Sequence, residues 1–401
     1  MTASMAALQI ADPRERRLVS TADRLLQLAC APRRWWRAPR PPVAPTRMLL
    51  LRLERIGDLL MVLPAIADLR ALAPDASIDL VVGSWNRSLA ETIPGVSRVE
   101  TLDAQWLARG PSGMALPGLI RQARRWRARH YDLAINFEPD IRSNLLLAAS
   151  GASFTAGYRS GGGGALLGRA LDYDPQAHTT ENARRLVASL VDGGRDGAPP
   201  RLRLSDTARR EAAERLSGAG RGPRVGIHVS AGRAVKQWEP ARFADAARQL
   251  IASCGATIVL TGAPEDAALV QAVRAQLPGE ALIDVSGDLD LTVLGAILER
   301  LDLLITGDTG PMHLAVAVGT PVVGIFGPSD PARYGPSGPH DRVVRVDLPC
   351  SPCNRIRQPP ARCVGHTPDC LSFLPAALVV DAALDALAAS GARRGAQAGR
   401  A

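Results

Sequence analysis

The 401-residue chain is almost without lysine. Of its 48 lysine and arginine residues, 47 are arginine, and the single lysine is Lys236. Arginine therefore fills nearly every position at which either cation would serve. A lysine that persists against this bias is expected to be needed as a lysine, because a compact ammonium and a planar guanidinium are not interchangeable. The alternative, chance survival of one surface lysine, stays open.

The sequence also lacks the features of several other protein classes. No apolar run approaches the roughly 18 residues of a membrane-spanning helix, and Asp12 and Arg14 interrupt the N-terminal region where a signal peptide would be apolar. The Gly-x-Ser-x-Gly pattern of many hydrolases is absent. Hydrophobic residues make up 46% and charged residues 22%, as in soluble globular proteins. We therefore expect a cytoplasmic protein, long enough for two domains.

Positive charge is concentrated at the N-terminus. The formal net charge is +9, of which residues 1–47 carry +6, with nine arginines against three acidic residues. Five apolar residues share one face of a helix predicted there: Leu18, Ala22, Leu25, Leu26 and Ala29. An Arg-Arg-Trp-Trp-Arg run follows at 33–37. The extension 1–45 is therefore either a helix at an anionic membrane surface or a solvated tail with a weak helix. A nucleic-acid binder would spread its charge over a folded face.

Two series of alternating strands and helices follow the extension. The first begins with strand 48–53, loop 54–58, helix 59–72 and strand 77–82, and includes a glycine run at 161–164 that reads as a flexible loop. The second begins at 224 and repeats the rhythm to 326. Repeated βαβ units predict parallel sheets. The fold class is therefore α/β, specifically GT-B, with two Rossmann-like domains whose sheets face a central cleft.

The predicted organisation has five parts. They are a basic N-terminal extension at 1–45, an N-terminal Rossmann-like domain at 46–195, a linker at 196–222, a C-terminal Rossmann-like domain at 223–373, and a C-terminal helix and tail at 374–401. The glycine-, proline- and arginine-rich composition of 192–222 indicates the linker. The last helix could cross back to the first domain.

The most specific local pattern is the run ITGDTGPMH at 305–313. A strand is predicted to end just before a helix whose first turn contains Pro311, where a missing N–H costs nothing. The N–H groups of Thr309 and Gly310 would then be available to phosphate oxygens, assisted by the helix dipole. Asp308 is unexpected beside a phosphate, so it would hold a sugar hydroxyl or orient the loop. A well-capped crossover helix without a ligand is the alternative.

Two further loops carry candidate chemistry. The loop from Ser230 to Trp238 contains Lys236. Its ammonium could bind the same phosphate group as the N–H groups of Thr309 and Gly310, and could stabilise negative charge on a diphosphate leaving group. In the first domain, Asp58 precedes the first helix, where it is either a helix cap or a general base. The nominal metal motif of Asp288 and Asp290 is discounted, because Asp290 is well placed to cap the next helix.

These loops together resemble glycosyltransferase family 9, the ADP-heptose:lipopolysaccharide heptosyltransferases and their relatives. The similarity lies in Gly57-Asp58 followed by Leu-Pro-Ala, in Lys236-Gln237-Trp238, and in the Asp-Thr-Gly-Pro-Met-His block at 308–313 followed by Phe-Gly-Pro at 326–328. It implies an inverting transfer without metal or cofactor. The donor would be a nucleoside-diphosphate sugar, with ADP-heptose favoured, and the acceptor a lipid-linked glycan such as lipopolysaccharide core.

The resemblance also implies roles for residues. Asp58 would be the base and Lys236 the phosphate ligand. The substrate-binding residues would be Gly57, Ser230, Lys236, Glu265, Asp308, Thr309, Gly310 and His313. Among them, Glu265 is assigned to the ribose because acidic residues often bind it in nucleotide-binding domains. The resemblance also implies that 46–195 is the acceptor domain and 223–373 the donor nucleotide-sugar domain. We expect the enzyme to be cytoplasmic, with contact to the inner face of the membrane if the extension 1–45 is the membrane-surface helix rather than a solvated tail.

Some features stay open. Cys350, Cys353, Cys363 and Cys370 have the ligand count of a zinc site but irregular spacing, so reduced structural thiols are the alternative. Two other functions fit a GT-B fold. One is a nucleotide-sugar epimerase or hydrolase, and the other is a non-catalytic nucleotide-binding component of a polysaccharide assembly complex. The presence of both Asp58 and Lys236 argues against the latter.

Overall fold

A computed structural model describes residues 8–10, 12–36, 40–107, 113–190, 201–218, 220, 222–277 and 281–398. The chain forms two compact units, Met1–Pro200 and Arg201–Ala401. The division falls inside the segment 196–222 that the sequence suggests as a linker. Within the described part of the chain, no helix is both long and apolar enough to cross a membrane.

The first unit begins with a long helix and continues as a sheet with helical connections. Its elements are α1 (Pro13–Trp36), β1 (Arg47–Arg52), α2 (Ile56–Leu60), α3 (Leu63–Leu72), β2 (Ser77–Val82), α4 (Arg87–Ala90), β3 (Arg98–Thr101), α5 (Leu116–Ala123), β4 (Leu133–Asn136), α6 (Ile141–Ala149), β5 (Phe154–Tyr158), β6 (Arg169–Leu171) and α7 (Thr179–Ala188).

The second unit has the same plan with a longer C-terminal helix. Its elements are α8 (Asp206–Arg215), β7 (Arg224–His228), α9 (Pro240–Cys254), β8 (Thr257–Thr261), α10 (Ala267–Arg274), β9 (Leu282–Asp284), α11 (Leu291–Glu299), β10 (Leu303–Gly307), α12 (Gly310–Val318), β11 (Val322–Ile325), α13 (Pro331–Tyr334), β12 (Arg342–Val344), α14 (Asp369–Ser372) and α15 (Ala376–Ala398).

Both units contain a six-stranded, wholly parallel sheet, as predicted. The strand order is β3-β2-β1-β4-β5-β6 in the first unit and β12-β11-β10-β7-β8-β9 in the second. Counted from each unit's first strand, these are the same Rossmann order. The order reverses between β1 and β4, and again between β7 and β10. Ligands of such sheets bind at the carboxyl ends of the strands at this reversal.

The predicted helix 59–72 is wrong in its boundaries, because the structure has two helices there. The helix α2 starts at Ile56, and α3 starts at Leu63. Pro64 in the first turn of α3 has no N–H to donate to the carbonyl of Leu60, so one continuous helix cannot form. Asp58 consequently lies inside the first turn of α2 rather than in the loop before a helix.

The second unit incorporates the segments at both of its ends. The helix α8 packs against α11, and α15 packs against α9 and the strands β10, β11 and β12. Val379 and Ala383 of α15 are completely buried in the core on that face of the sheet. The C-terminal helix therefore contributes to the core of the second unit.

The glycine run at 161–164 is a packed turn, so the expectation of a flexible loop is wrong. All four glycines are buried. Gly162 and Gly163 have φ angles of 88° and 75°, which residues with a Cβ rarely adopt. The Asn144 amide donates to the Gly162 carbonyl at 2.8 Å. This turn supports the helix α1.

Candidate active site

The predicted site residues of the first unit lie where its strand order reverses. Arg52 is the last residue of β1 and only 3% of its side chain is exposed. Its Nη1 lies 2.9 Å from Glu54 Oε2, and its Nη2 lies 3.3 Å from Asp58 Oδ1. The same guanidinium donates to the carbonyl oxygen of Phe137, after β4, at 2.6 Å. A buried cation thus ties both sides of the reversal together.

Asp58 lies in the first turn of α2, and its carboxylate contacts donors on two sides. Its Oδ2 accepts a hydrogen bond from the backbone N–H of Arg55 at 3.2 Å, which satisfies a donor at the start of α2. Its Oδ1 faces Arg52. The side chain remains 30% exposed, so a carboxylate held from two directions still presents lone pairs to an approaching hydroxyl. Gly57 beside it is buried within α2.

Glu54 is a functional candidate that the sequence reasoning missed. Although 30% of its side chain is exposed, loss of hydration raises the pKa of its carboxyl to about 8. Arg52 opposes this shift, whereas Asp58 and Glu138 add to it. Burial and the neighbouring carboxylates thus favour the protonated form of this carboxyl, which lies next to the predicted base. The available signal was Arg52 itself, because a charged residue ending an aliphatic strand needs buried partners.

Glu138 is the second missed residue. It lies in the loop after β4 and is 2% exposed. Its carboxylate accepts hydrogen bonds from the backbone N–H of Leu53 and from the Ser143 hydroxyl. Burial raises its pKa, although Arg52 and these donors oppose the rise. Because every one of these contacts is internal, we assign Glu138 to holding the loop after β1 in place.

The predicted residues of the second unit meet at its own strand reversal. Lys236 lies in the loop after β7, in a short turn from Ala234 to Lys236. Its Nζ is 2.9 Å from Asp308 Oδ2 and donates to the Asp308 carbonyl oxygen at 2.5 Å. Both side chains are largely enclosed, with 18% and 14% exposed. The sequence placed both residues near one ligand without predicting that they pair.

The pairing accounts for an acidic residue beside a predicted phosphate site. Burial acts to raise the pKa of Asp308, but the Lys236 ammonium, together with Ser329 and His313, outweighs burial and lowers it. Asp308 is therefore held as an anion that fixes the ammonium in position. His313 itself is 8% exposed within α12. Of the two roles expected for Asp308, orienting the loop fits this geometry.

The N-terminus of α12 lies next to this pair. Thr309 is the extended residue that precedes the helix, and Gly310 is its first residue. The Thr309 hydroxyl contacts the Thr306 hydroxyl at 3.0 Å. In the described part of the chain no side chain caps α12. Backbone N–H groups at a helix start carry partial positive charge and favour anions. Gly319 ends this helix in a left-handed conformation.

Ser230 is fixed by a neighbour that the sequence did not indicate. Its hydroxyl is 3.1 Å from His228 Nε2, and His228 Nδ1 is 3.0 Å from the Thr261 hydroxyl. Burial lowers the pKa of His228 to about 4. The imidazole is therefore neutral at physiological pH and orients Ser230 without adding charge.

Glu265 lies apart from these contacts, exposed in the turn from Pro264 to Asp266 after β8. It shares the carboxyl edge with the other candidates because β8 neighbours β7. Asp266, rather than Glu265, accepts the Ala263 N–H at 2.9 Å. Asp290 accepts the Thr292 N–H at 2.7 Å and caps α11, as the sequence indicated.

The four clustered cysteines are reduced in the structure. Cys370 is buried, and burial raises its pKa to about 11, with smaller contributions from Cys353, Cys350 and Cys363. Across the described ranges, no three or more histidine, cysteine, aspartate or glutamate side chains are arranged to hold a metal ion. The segment anchors to the loop after β11, where the Ser351 hydroxyl donates to the Gly327 carbonyl at 2.7 Å.

Comparison with known proteins identifies the family of this chain. The sequence profile of Glycosyltransferase family 9 (heptosyltransferase) matches residues 119–362, more than half of the chain. The chain belongs to glycosyltransferase family 9. Membership confirms the predicted resemblance and the prediction that the protein is a glycosyltransferase.

Individual family 9 proteins align with most of the chain. Lipopolysaccharide heptosyltransferase 2 of Escherichia coli K12 is 25% identical over 316 residues, which are 75% of this chain and 88% of that protein. The Veillonella parvula family 9 structure has a TM-score of 0.74 at 26% identity, covering 85% of this chain and 97% of that chain. The E. coli ADP-heptose lps heptosyltransferase II structure has a TM-score of 0.70 at 21% identity, covering 86% and 99%. These likenesses confirm the predicted GT-B fold.

Proposed function

We propose that this family 9 member transfers heptose from ADP-heptose to a lipopolysaccharide core acceptor, with inversion and without a metal ion. The named relatives are lipopolysaccharide heptosyltransferases, and one structural neighbour is titled an ADP-heptose heptosyltransferase. The observation that carries the proposal is the contrast between the two strand reversals. One presents the carboxylate of Asp58, and the other presents Lys236 beside a helix N-terminus.

The proposed reaction is a single displacement. Asp58 takes the proton of an acceptor hydroxyl, whose oxygen forms a bond to the anomeric carbon of the sugar. The bond from that carbon to the diphosphate breaks on the opposite face, and the electron pair leaves with the nucleotide. Lys236 and the N–H groups of Thr309 and Gly310 stabilise the negative charge that develops there. These donors supply the charge stabilisation that a divalent cation provides in other transferases.

The remaining predicted residues have supporting roles in this proposal. Ser230 lies at the same edge and would donate to a phosphate oxygen. Asp308 would hold Lys236 in position, and His313 would favour the anionic form of Asp308. Glu265 is proposed for the ribose of the donor, and Gly57 for close approach of the acceptor. We propose a lipid-linked acceptor and enzyme action at the inner face of the cytoplasmic membrane, reached through residues 1–45.

The test is nucleotide release from ADP-, GDP- and UDP-linked sugars, measured with and without a deacylated core acceptor. We expect ADP release from ADP-heptose that depends on the acceptor. Product formation without any acceptor would instead indicate the epimerase or hydrolase alternative. Donor binding with no product under either condition would favour the non-catalytic alternative. Adding a chelator should leave the rate unchanged, and a loss of activity would contradict metal independence.

A further inference from the structure

We propose that α1 docks the enzyme on an anionic lipid surface through an outer face formed by Leu18, Leu25 and Leu28. This inference concerns the extension at 1–45, which lies outside the region matched by the family profile. Lipid docking itself is independent of the proposed reaction. Only its use, bringing a lipid-linked acceptor to the active site, depends on the function proposed above.

The helix α1 is fixed to the first unit by the side that contains Val19, Ser20 and Asp23. Asp23 Oδ1 accepts the N–H of Gly163 at 2.7 Å, and both Asp23 and Ser20 are buried. Just before the helix, the N–H of Gln9 donates to the Ser160 carbonyl at 2.8 Å. A Cβ on Gly162 would come within 2.7 Å of Val19, so helix and turn are in close contact. The orientation of α1 on the unit is therefore defined.

The opposite side of α1 is unusually apolar for an exposed surface. Leu18, Leu25 and Leu28 are 74%, 63% and 73% exposed. Spacings of seven and three residues place them on one side of an α-helix. A helix at a protein surface normally buries its apolar side and exposes its polar side. Here three leucines remain largely exposed, which is the arrangement expected when another apolar surface covers them.

The charge around the leucines indicates which kind of apolar surface covers them. Arg14, Arg17 and Arg24 are exposed and fall on the same half of the helix as the outer face. A second copy of the chain meeting this face with its own would bring both sets of arginines together, which Coulomb repulsion disfavours. An anionic bilayer attracts the arginines and accepts the leucines below its headgroups. The observations therefore favour a lipid surface over self-association.

The helix α1 is also joined by ion pairs to the segment that leads from β4 into α6. Glu15 of α1 is 3.4 Å from Arg142, and Arg142 is 2.5 Å from Asp140. Asp140 caps α6 at the end of the loop after β4, the loop that Arg52 contacts through Phe137. The helix is thus attached beside the strand reversal that carries Asp58. A bilayer bound to α1 would present a lipid-linked glycan to that edge.

The experiment compares the full-length protein with two triple variants on vesicles of phosphatidylcholine with or without phosphatidylglycerol. One variant is Leu18→Ser, Leu25→Ser and Leu28→Ser, and the other is Arg14→Gln, Arg17→Gln and Arg24→Gln. We expect binding to the anionic vesicles to weaken more than about tenfold for the leucine variant, from lost apolar burial. The arginine variant should lose about fivefold in affinity for the anionic vesicles per arginine removed, and its binding should depend much less on salt.

The matched control replaces two exposed apolar residues of the second unit, Val343→Ser and Leu378→Ser, which are 41% and 45% exposed. It should bind vesicles like the unaltered protein. Nucleotide release with a soluble deacylated acceptor should be unchanged in all variants, which separates docking from the reaction. Unaltered vesicle binding by the leucine variant would overturn the proposal. So would a light-scattering mass showing a dimer that the leucine variant abolishes, since the outer face would then bind a second copy.

Discussion

The two strand reversals occupy equivalent places in two sheets of the same order, yet their chemistry is opposite. At the first, three carboxylates from Glu54, Asp58 and Glu138 surround a single buried guanidinium. At the second, one lysine pairs with one aspartate beside the start of a nine-residue helix. Topology therefore sets where a ligand can bind, while the loop residues decide which kind of charge the site tolerates.

This difference suggests a division of chemical work between the units. A carboxylate held by Arg52 but partly exposed is suited to accept a proton. An ammonium and backbone N–H groups are suited to receive a leaving diphosphate. Substitutions that exchange or remove these charges should therefore have distinct kinetic signatures at the two sites.

The largest expected effect follows from Asp58→Asn. The amide keeps the size of the side chain but cannot accept the acceptor proton, so turnover should fall by about 10²–10⁴-fold. Donor affinity, measured by calorimetry, should change little. Asp75→Asn, at an exposed position of the same unit, is the control and should retain full activity. Near-normal turnover of the Asp58 variant would remove the base assignment.

Lys236→Arg should have the next largest effect, although it preserves charge. The Lys236 ammonium is enclosed and reaches both the carbonyl and the carboxylate of Asp308. A planar guanidinium is too wide for that position, and displacing the charge by about 1 Å can cost around 10²-fold in rate. Steady-state kinetics should show mainly a fall in kcat. Lys236→Ala should be at least as severe, and a fully active Lys236→Arg enzyme would show the lone lysine to be a compositional accident.

Arg52→Met should destabilise the first unit more than it slows the reaction. Removing one partner of a buried ion pair leaves uncompensated charge and typically costs about 3–5 kcal/mol. Urea unfolding should therefore shift to a clearly lower midpoint, and kcat should fall less than in Asp58→Asn. Arg52→Lys keeps the charge and should recover part of the loss. Equal stability of all three proteins would mean that the guanidinium does not hold the carboxylates.

The smallest expected effect is a difference in the pH dependence of stability between the units. Glu54 has a folded pKa of about 8 against an ordinary value of 4.5, so its contribution to stability falls as pH rises through this range. His228 has a folded pKa of about 4 against 6.5, so its contribution is lost as pH falls from 6.5 to 4. Hydrogen exchange of peptides containing β1 and β7 should show these opposite trends. Glu54→Gln should remove the pH dependence of exchange in the β1 peptides only. Loss of the pH dependence in the β7 peptides as well would contradict the assignment of each trend to its own residue.

Sequence periodicity predicted the architecture because parallel strands buried on both faces are continuous aliphatic runs. The strands β1 and β10 are such runs, and the polar loops that follow them mark the edge of the sheet where ligands bind. The split between α2 and α3 was missed, because the apolar pattern of 59–72 continues across Pro64, which the structure places in the first turn of α3. The strand order itself required the structure.

The sequence identified site residues that belong to recognisable loop patterns, and it missed those defined only by contacts. Lys236 and Asp308 are 72 residues apart and pair through their side chains, which no local pattern reveals. Burial raises the pKa values of Glu54 and Glu138, and Glu138 adds to the rise at Glu54. His228 reads as an ordinary strand residue until its contacts with Ser230 and Thr261 are known.

The single lysine also makes the protein suitable for selective chemical modification at one side chain. Reagents that acylate or reductively methylate amines have one side chain to modify, Lys236, besides the α-amino group. Isotopically labelled methyl groups introduced there would give one resolved NMR signal from the centre of the second unit's site. Because the amine is 18% exposed and paired with Asp308, it should react slowly, and more slowly still when a donor diphosphate covers it. Protection by different nucleotide sugars would then rank donors without any acceptor being in hand.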